Sequence, residues 1–311
     1  MREESRDGFE FVSIVYPFNR RDAIKIVADC HSIDGYQKYI VEHGIDKAEI
    51  VMPDLNILKF CPGLKYLRIC PSYNASINFD FSPLYDMKEV KLLNCQNRYG
   101  SREQYLSEID YSRVHGIAYL CIGVNRSTLN YNKIETLKSL SVSGFKGRNY
   151  DLTDLFCSEE LDTLEMVQCG INSLNGIEIS NRMQCLYLRY NRSLQDISAL
   201  NRARGTLKAL RIENCPKIED FSVLGELEKL ELLELSGSNV LPNLNFLRTM
   251  KNLKTFGFNV DVRDGDLAPC RNLSYVYSEK DRKHYNLKDR DLPKANYVRG
   301  NEDIEEWRRL E

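Results

Sequence analysis

The sequence has no run of about 18 consecutive apolar residues, so no membrane-spanning helix is expected and no membrane partner. Its charged start, Met1-Arg2-Glu3-Glu4-Ser5-Arg6-Asp7, leads into no signal-type apolar stretch with a small-residue cleavage site. The expectation is a soluble, cytoplasmic protein. Neither sign of charge is in excess: 43 Lys and Arg against 45 Asp and Glu leave −2. That balance argues against nucleic acid as a partner, because phosphate-held proteins show a basic surplus. No C-x-x-C occurs among the ten cysteines, which speaks against zinc sites, and without an export signal disulfides are not expected either. Reduced thiols, several buried as small apolar side chains, remain.

The usual vehicles of catalysis are missing too. His31, His43, His115 and His284 never pair as H-x-x-x-H or H-E-x-x-H, so the zinc-protease pattern is absent. There is no G-x-x-x-x-G-K-[ST], no G-x-G-x-x-G and no G-x-S-x-G, hence no nucleotide cradle or nucleophile elbow. No metal, no cofactor and no catalytic residue are expected, although distant Cys and His residues can still meet in space. Cys121 beside a histidine would be the sign of that.

What is present is a repeat. Leu207-x-x-Leu210-x-Ile212-x-x-Cys215 sets a frame that also fits Met87-x-x-Val90-x-Leu92-x-x-Cys95 and Ile117-x-x-Leu120-x-Ile122-x-x-Asn125. It fits Leu161-x-x-Leu164-x-Met166-x-x-Cys169 and Met183-x-x-Leu186-x-Leu188-x-x-Asn191. Looser copies start at Ile45, Leu64, Leu137, Leu230, Leu253 and Leu273, so the mean interval is about 23 residues. The second half of each unit is apolar at every third residue, as in Ile218, Phe221, Leu224, Leu227 and Leu230. That period fits a 3₁₀ turn better than an α-helix. No unit buries its apolar face alone, so neighbours must stack.

With these motifs the sequence resembles the leucine-rich repeat family over about residues 45–281, and its return segments resemble the bacterial internalin-like class of about 22–23 residues. The resemblance implies an α/β fold: a right-handed leucine-rich repeat solenoid (horseshoe), with a concave parallel β-sheet and a convex face of 3₁₀ and short helical turns. It also implies a role for the ninth position, held by Cys95, Cys169, Cys215, Asn125 and Asn191, in satisfying backbone groups inside the turn. Ser72, Phe145, Ser238 and Asp261 depart from that pattern, and irregular turns are expected there.

Residues 1–44 read as an N-terminal αβ cap, 45–281 as about 11 repeats with an insertion near 97–113, and 282–311 as a C-terminal cap, all in one continuous domain. Phe9–Tyr16 reads as a strand. Asn19 suits the cap of a helix over about 20–30, and Tyr36, Tyr39, Ile40 and His43 share a second helical face that Gly44 would end. Ser101–Gln104 has the form of a capping box for a helix over about 102–110. Asn301 would cap a last helix with Ile304, Trp307 and Leu310 on one face, the lone Trp covering the last repeat.

Positions 3, 5 and 7 of each strand point away from the core. Glu165, Tyr187, Arg211 and Glu234 would then form one row, with Arg189 and Glu213 beside it and Tyr275 and Tyr277 further along. Tyr and Arg are the side chains most enriched at binding hot spots. These eight residues are the candidate partner-binding site on the concave face. The partner would be another protein, bound by a monomer. Two narrower readings stand side by side. One is a cytosolic bacterial adaptor or toxin-neutralising immunity-type protein; the other is a secreted or host-directed internalin-like effector. An enzyme with its site in the concavity is a third.

Overall fold

The computed structural model describes residues 4–14, 22–28, 30–70, 79–95, 108–155 and 158–297. The chain divides into two compact units, Met1–Leu140 (with Glu311) and Ser141–Leu310. Among the described residues no helix is long and apolar enough to cross a membrane.

The first unit contains β1 (Glu4–Arg6), β2 (Phe9–Val12), β3 (Ala23–Val27), α1 (Ile33–Glu42), β4 (Lys47–Val51), α2 (Ile57–Phe60), β5 (Tyr66–Ile69), α3 (Ser82–Tyr85), β6 (Leu92–Asn94), β7 (Ile109–Asp110), β8 (Tyr119–Gly123) and β9 (Thr128–Leu129). Its sheet runs β1-β2-β3-β4-β5-β6-β8, antiparallel through β3 and parallel after it, while β7 and β9 form a separate parallel pair. β10 (Ser139–Ser143) falls where the units divide.

Three sequence expectations change here. The helix expected over 20–30 is strand β3. Its Ile24, Ile26 and Val27 are β-branched and favour a strand, and the strand pairs in parallel with β4 as an earlier turn of the same solenoid. The strand expected over 9–16 is shorter as described, ending at Val12. The Met87 copy is framed three residues early: Leu92, Leu93 and Asn94 lie opposite Tyr119, Leu120 and Cys121, so the copy starts at Val90. Cys95 is therefore at the sixth position, facing inward, where burial pushes its thiol up to about 12. Asn94, not Lys91, holds position 5.

The expected second helix is α1. Ser32 caps it by accepting from Gly35 N at 3.1 Å, and Gly44, at φ +60°, follows it. Phe9 stacks on His31 and Tyr39 with centroids 4.2 and 4.0 Å apart, fastening the helix to β2. Of the capping box and helix near 102–110, residues 101–107 lie outside the described residues, and Ile109 belongs to β7.

The second unit contains β11 (Thr163–Val167), β12 (Cys185–Arg189), β13 (Ala209–Glu213), β14 (Leu232–Leu241), β15 (Thr255–Val262) and β16 (Tyr275–Ser278), all parallel neighbours in sequence order. Between them run 3₁₀ turns, Ile177–Ile179, Ser198–Ala203, Ser222–Glu226, Asn245–Arg248 and Ala268–Asn272, as the three-residue period predicts. Leu164, Leu186, Leu210 and Leu233 stack at the inward fourth position, each wholly buried.

The turn out of each strand has a fixed chemistry. The eighth residue is left-handed in five repeats: Gly144, Gln168, Tyr190, Asn214 and Gly237. The ninth then reaches back inside. Asn191 donates to Met166 O at 3.0 Å and accepts from Cys169 N at 2.7 Å, both buried. Cys169 and Cys215 give their thiols to Val142 O and Leu188 O at 3.6 and 3.7 Å. In β14 the register shifts between Ser236 and Val240, where β14 takes two residues more than β15, and Asn239 rather than Ser238 does this work, donating to Cys215 O and Ile218 O at 3.1 and 2.9 Å. Asn125 is less enclosed and accepts from Ser127 N at 2.7 Å.

A candidate binding face on the second unit

Strand alternation leaves positions 3, 5 and 7 of the second unit on the open side of its sheet. At position 5, Glu165, Tyr187, Arg211, Glu234, Gly257 and Tyr277 stand opposite one another across six strands. Arg189 and Glu213 are neighbours at position 7, and Tyr275 lies opposite Thr255 at position 3. All eight predicted residues thus share one face.

They are joined by charge. Arg189 is held between two carboxylates, Glu213 Oε2 at 2.9 Å and Glu165 Oε1 at 3.3 Å. Burial opposes its charge, but the bonds and charges of Glu213 and Glu165 outweigh that and hold its pKa above the ordinary arginine value. Ser141 Oγ donates to the other oxygen of Glu165 at 2.7 Å. Arg211 forms an ion pair with Glu234 at 2.6 Å and lies over the Tyr187 ring, 5.1 Å from its centroid. Its pKa too stays raised against the pull of burial, chiefly through Glu234.

Glu234 collects three partners. Besides Arg211, Tyr277 hydrogen-bonds to it, and Tyr297 Oη donates to its Oε1 at 3.1 Å. Burial first, then the Glu234 charge and hydrogen bond, push the Tyr277 phenol well above its ordinary value. The Tyr277 ring leans over Gly257, where a Cβ would come within 2.2 Å of its Cζ. Tyr275 meets Tyr297 edge-on at 5.2 Å and carries Lys294 Nζ 5.7 Å from its centroid.

Sequence reasoning missed an apolar stripe on the same face. Cys185, Ala209 and Leu232, at position 3, cluster with Tyr187. Apolar residues at an outward position in three consecutive repeats were the available signal. Burial pushes the Cys185 thiol up to about 12. Cys121 lies opposite Asn94, and His31, His43 and His284 meet the carbonyls of Gly8, Tyr39 and Val262. Among the described residues no group of three or more His, Cys, Asp or Glu could hold a metal ion.

No protein-family model matches the chain, and no curated protein matches it either. Solved structures do. An internalin (inlF) from Listeria monocytogenes is similar at 18% identity and a TM-score of 0.53, covering 82% of this chain and 73% of that one. A plant peptide hormone receptor, RGFR1 in complex with RGF2, is 14% identical over 82% of this chain and 50% of its own, and its TM-score of 0.29 carries no argument. The register of the strands, the 3₁₀ returns and the likeness to the internalin agree that the chain has the leucine-rich repeat fold.

Proposed function

We propose that this protein is a non-catalytic binding scaffold that takes another protein on the open face of its second unit, as a monomer. Glu165, Tyr187, Arg189, Arg211, Glu213, Glu234, Tyr275 and Tyr277 would make the contacts. The observation that carries the reading is the row of charged and aromatic groups locked to one another across consecutive strands. Side chains already held by neighbours lose little freedom on binding, which is where an interface otherwise spends much of its energy. The row alternates in sign, so it suits a partner of mixed charge rather than a strongly acidic or basic one.

The narrower reading is a cytosolic bacterial adaptor or toxin-neutralising immunity-type protein. Free thiols at Cys61, Cys169, Cys185, Cys215 and Cys270 favour a reducing compartment over an exported effector. The test is capture from native lysate by the wild type and by a folded Tyr187→Ala, Arg189→Ala, Arg211→Ala variant, followed by mass spectrometry. A partner kept by the first and lost by the second supports the reading. A partner held equally by both would move the site off this face.

A further inference from the structure

The turns that leave the strands of the second unit differ in charge from their surroundings. Over four consecutive repeats, residues 144–148, 168–172, 190–195 and 214–218 hold no Asp or Glu, yet they carry Lys146, Arg148, Arg192 and Lys217. Elsewhere the unit sets acids beside its bases in neighbouring repeats: Arg182 pairs with Glu160 at 2.6 Å, Lys254 with Glu231 at 2.6 Å and Arg282 with Asp261 at 2.7 Å. On this rim Arg148 has such a partner, Asp154 at 2.7 Å. Lys146, Arg192 and Lys217 are exposed and form no ion pair among the described residues. Like charges one strand apart repel, so the ladder adds nothing to the fold. The helix expected further on, with Ile304, Trp307 and Leu310, lies outside the described residues, and the rim is described in full without it.

Two tyrosines on this rim hold a conformation that works against them. Tyr150 and Tyr190 have φ of +56° and +57°, the left-handed region that a bulky side chain enters only under strain. Gly144 and Gly237 occupy the same eighth position as Tyr190, so glycine would serve the turn there. Tyr150 is 43 % exposed, so burial does little to offset its strain. Its ring instead holds Lys146, whose ammonium stands 4.9 Å from the centroid. The stem of Lys146 lies over Gly170 of the next repeat, where a Cβ would come within 3.3 Å of its Cγ. The one repeat of the four without a cation is therefore covered by its neighbour's. Strain kept at an exposed place points to a use outside the fold.

We propose that this rim takes an acidic segment of a partner protein, a run rich in Asp and Glu, on Lys146, Arg192 and Lys217 with the Tyr150 and Tyr190 hydroxyls as further donors. From β10 to β13 is three strand spacings, about 14 Å, which an extended chain rising about 3.3 Å per residue crosses in about four to five residues. Exposed charges of this kind speed and orient an encounter more than they tighten it. The proposal goes beyond the open-face reading: the rim is a second surface of the same unit, and it stands whether or not that face binds.

The whole chain carries −2, so an acidic peptide binds it only where the charge is locally positive. The probe is fluorescein-labelled hexaglutamate, read by anisotropy at low ionic strength. The wild type should bind it, with affinity falling as salt is added. A full-length Lys146→Glu, Arg192→Glu, Lys217→Glu variant should bind about tenfold more weakly or worse. The control, Lys229→Glu, Lys251→Glu, Arg271→Glu, makes the same change of charge on the returns, where Glu228, Glu231 and Asp266 are interspersed, and should stay within about twofold of wild type. Should the rim variant lose its fold, Lys146→Gln, Arg192→Gln, Lys217→Gln makes the same comparison. No binding by the wild type, binding kept by the folded rim variant, or equal loss in the control overturns the proposal. So does tighter binding of hexathymidylate than of hexaglutamate, which would assign the rim to nucleic acid.

Discussion

From β11 to β13 of the second unit each repeat is built from the same parts: a left-handed eighth position, an inward Asn or Cys at the ninth and a 3₁₀ return. The first unit keeps the strands and loosens everything else. Met52 and Val124, at the eighth position there, are not left-handed, and the returns mix the short helices α1, α2 and α3 with 3₁₀ turns at Tyr111–Arg113 and Tyr131–Lys133. Helical returns are wider than 3₁₀ ones, because a 3₁₀ turn rises about 2.0 Å per residue against 1.5 Å for an α-helix and is correspondingly thinner. The difference teaches where conformity is enforced. A strand must match two neighbours, whereas a return segment only has to bring the chain back.

The largest effect that would test this contrast is at the buried amide. Asn191→Ala strands two buried backbone groups, Met166 O and Cys169 N, and should cost about 2–4 kcal/mol in urea unfolding. Asn125→Ala, in the more open turn of the first unit, should cost only about 1 kcal/mol. Equal losses would show that the looser turn is as demanding as the regular one.

The same substitution can also be made at two cysteines with opposite results. Cys215→Asn puts an amide where the repeat already uses one, so the change should stay within about 1 kcal/mol. Cys95→Asn buries an amide at an inward sixth position and should cost about 1–3 kcal/mol. The motif alone predicts that both changes are mild; chemical denaturation of the two variants decides between the motif frame and the observed register.

Most of the second unit is legible in the sequence because its repeats agree with one another. Leu164, Leu186, Leu210 and Leu233 recur in one frame, so the outward row Glu165, Tyr187, Arg211, Glu234 comes out by counting. Counting fails where one local pattern has two fits. Met87-x-x-Val90-x-Leu92 and Val90-x-x-Leu93-x-Cys95 are both acceptable, and only pairing with β8 chooses the second. Ala23–Val27 reads as helix because its apolar spacing suits a short helix as well as a buried strand, and the neighbouring β4 decides. Pairwise ties such as Arg189 between two glutamates, or Tyr277 leaning over Gly257, depend on rotamers that spacing does not encode.

A smaller effect concerns how the second unit closes its last strand. Asp289 accepts from Ser278 N and Lys294 Nζ at 2.8 and 2.7 Å. Burial pulls its pKa up, but these partners more than offset that and hold it below the ordinary carboxylate value. A lowered folded pKa means that the stabilisation is complete above the unfolded value of about 3.9 and is lost as pH falls through the folded one. The pair is well exposed and screened, so global stability should move little. Amide exchange should instead show Val276 and Ala295 losing protection below about pH 4 while Leu210, deep in β13, does not. Asp289→Asn should erase that pH dependence; an unchanged profile would mean that backbone pairing alone closes the edge.

The smallest expected change in stability is at Gly257, and it separates fold from face. Gly257 sits in mid-strand without a left-handed backbone, so alanine suits the chain itself, and unfolding should shift by less than about 1 kcal/mol. The added Cβ would nevertheless stand 2.2 Å from the Tyr277 ring, which has to swing away and give up Glu234. The phenol would then lose both the burial and the carboxylate that raise its pKa and return towards about 10. Ring-labelled tyrosine NMR across alkaline pH reads this directly. A Tyr277 that still resists ionisation in Gly257→Ala would mean the ring is held by Glu234 rather than by the gap that glycine leaves. The row on this face would then be fixed by its hydrogen bonds more than by its packing.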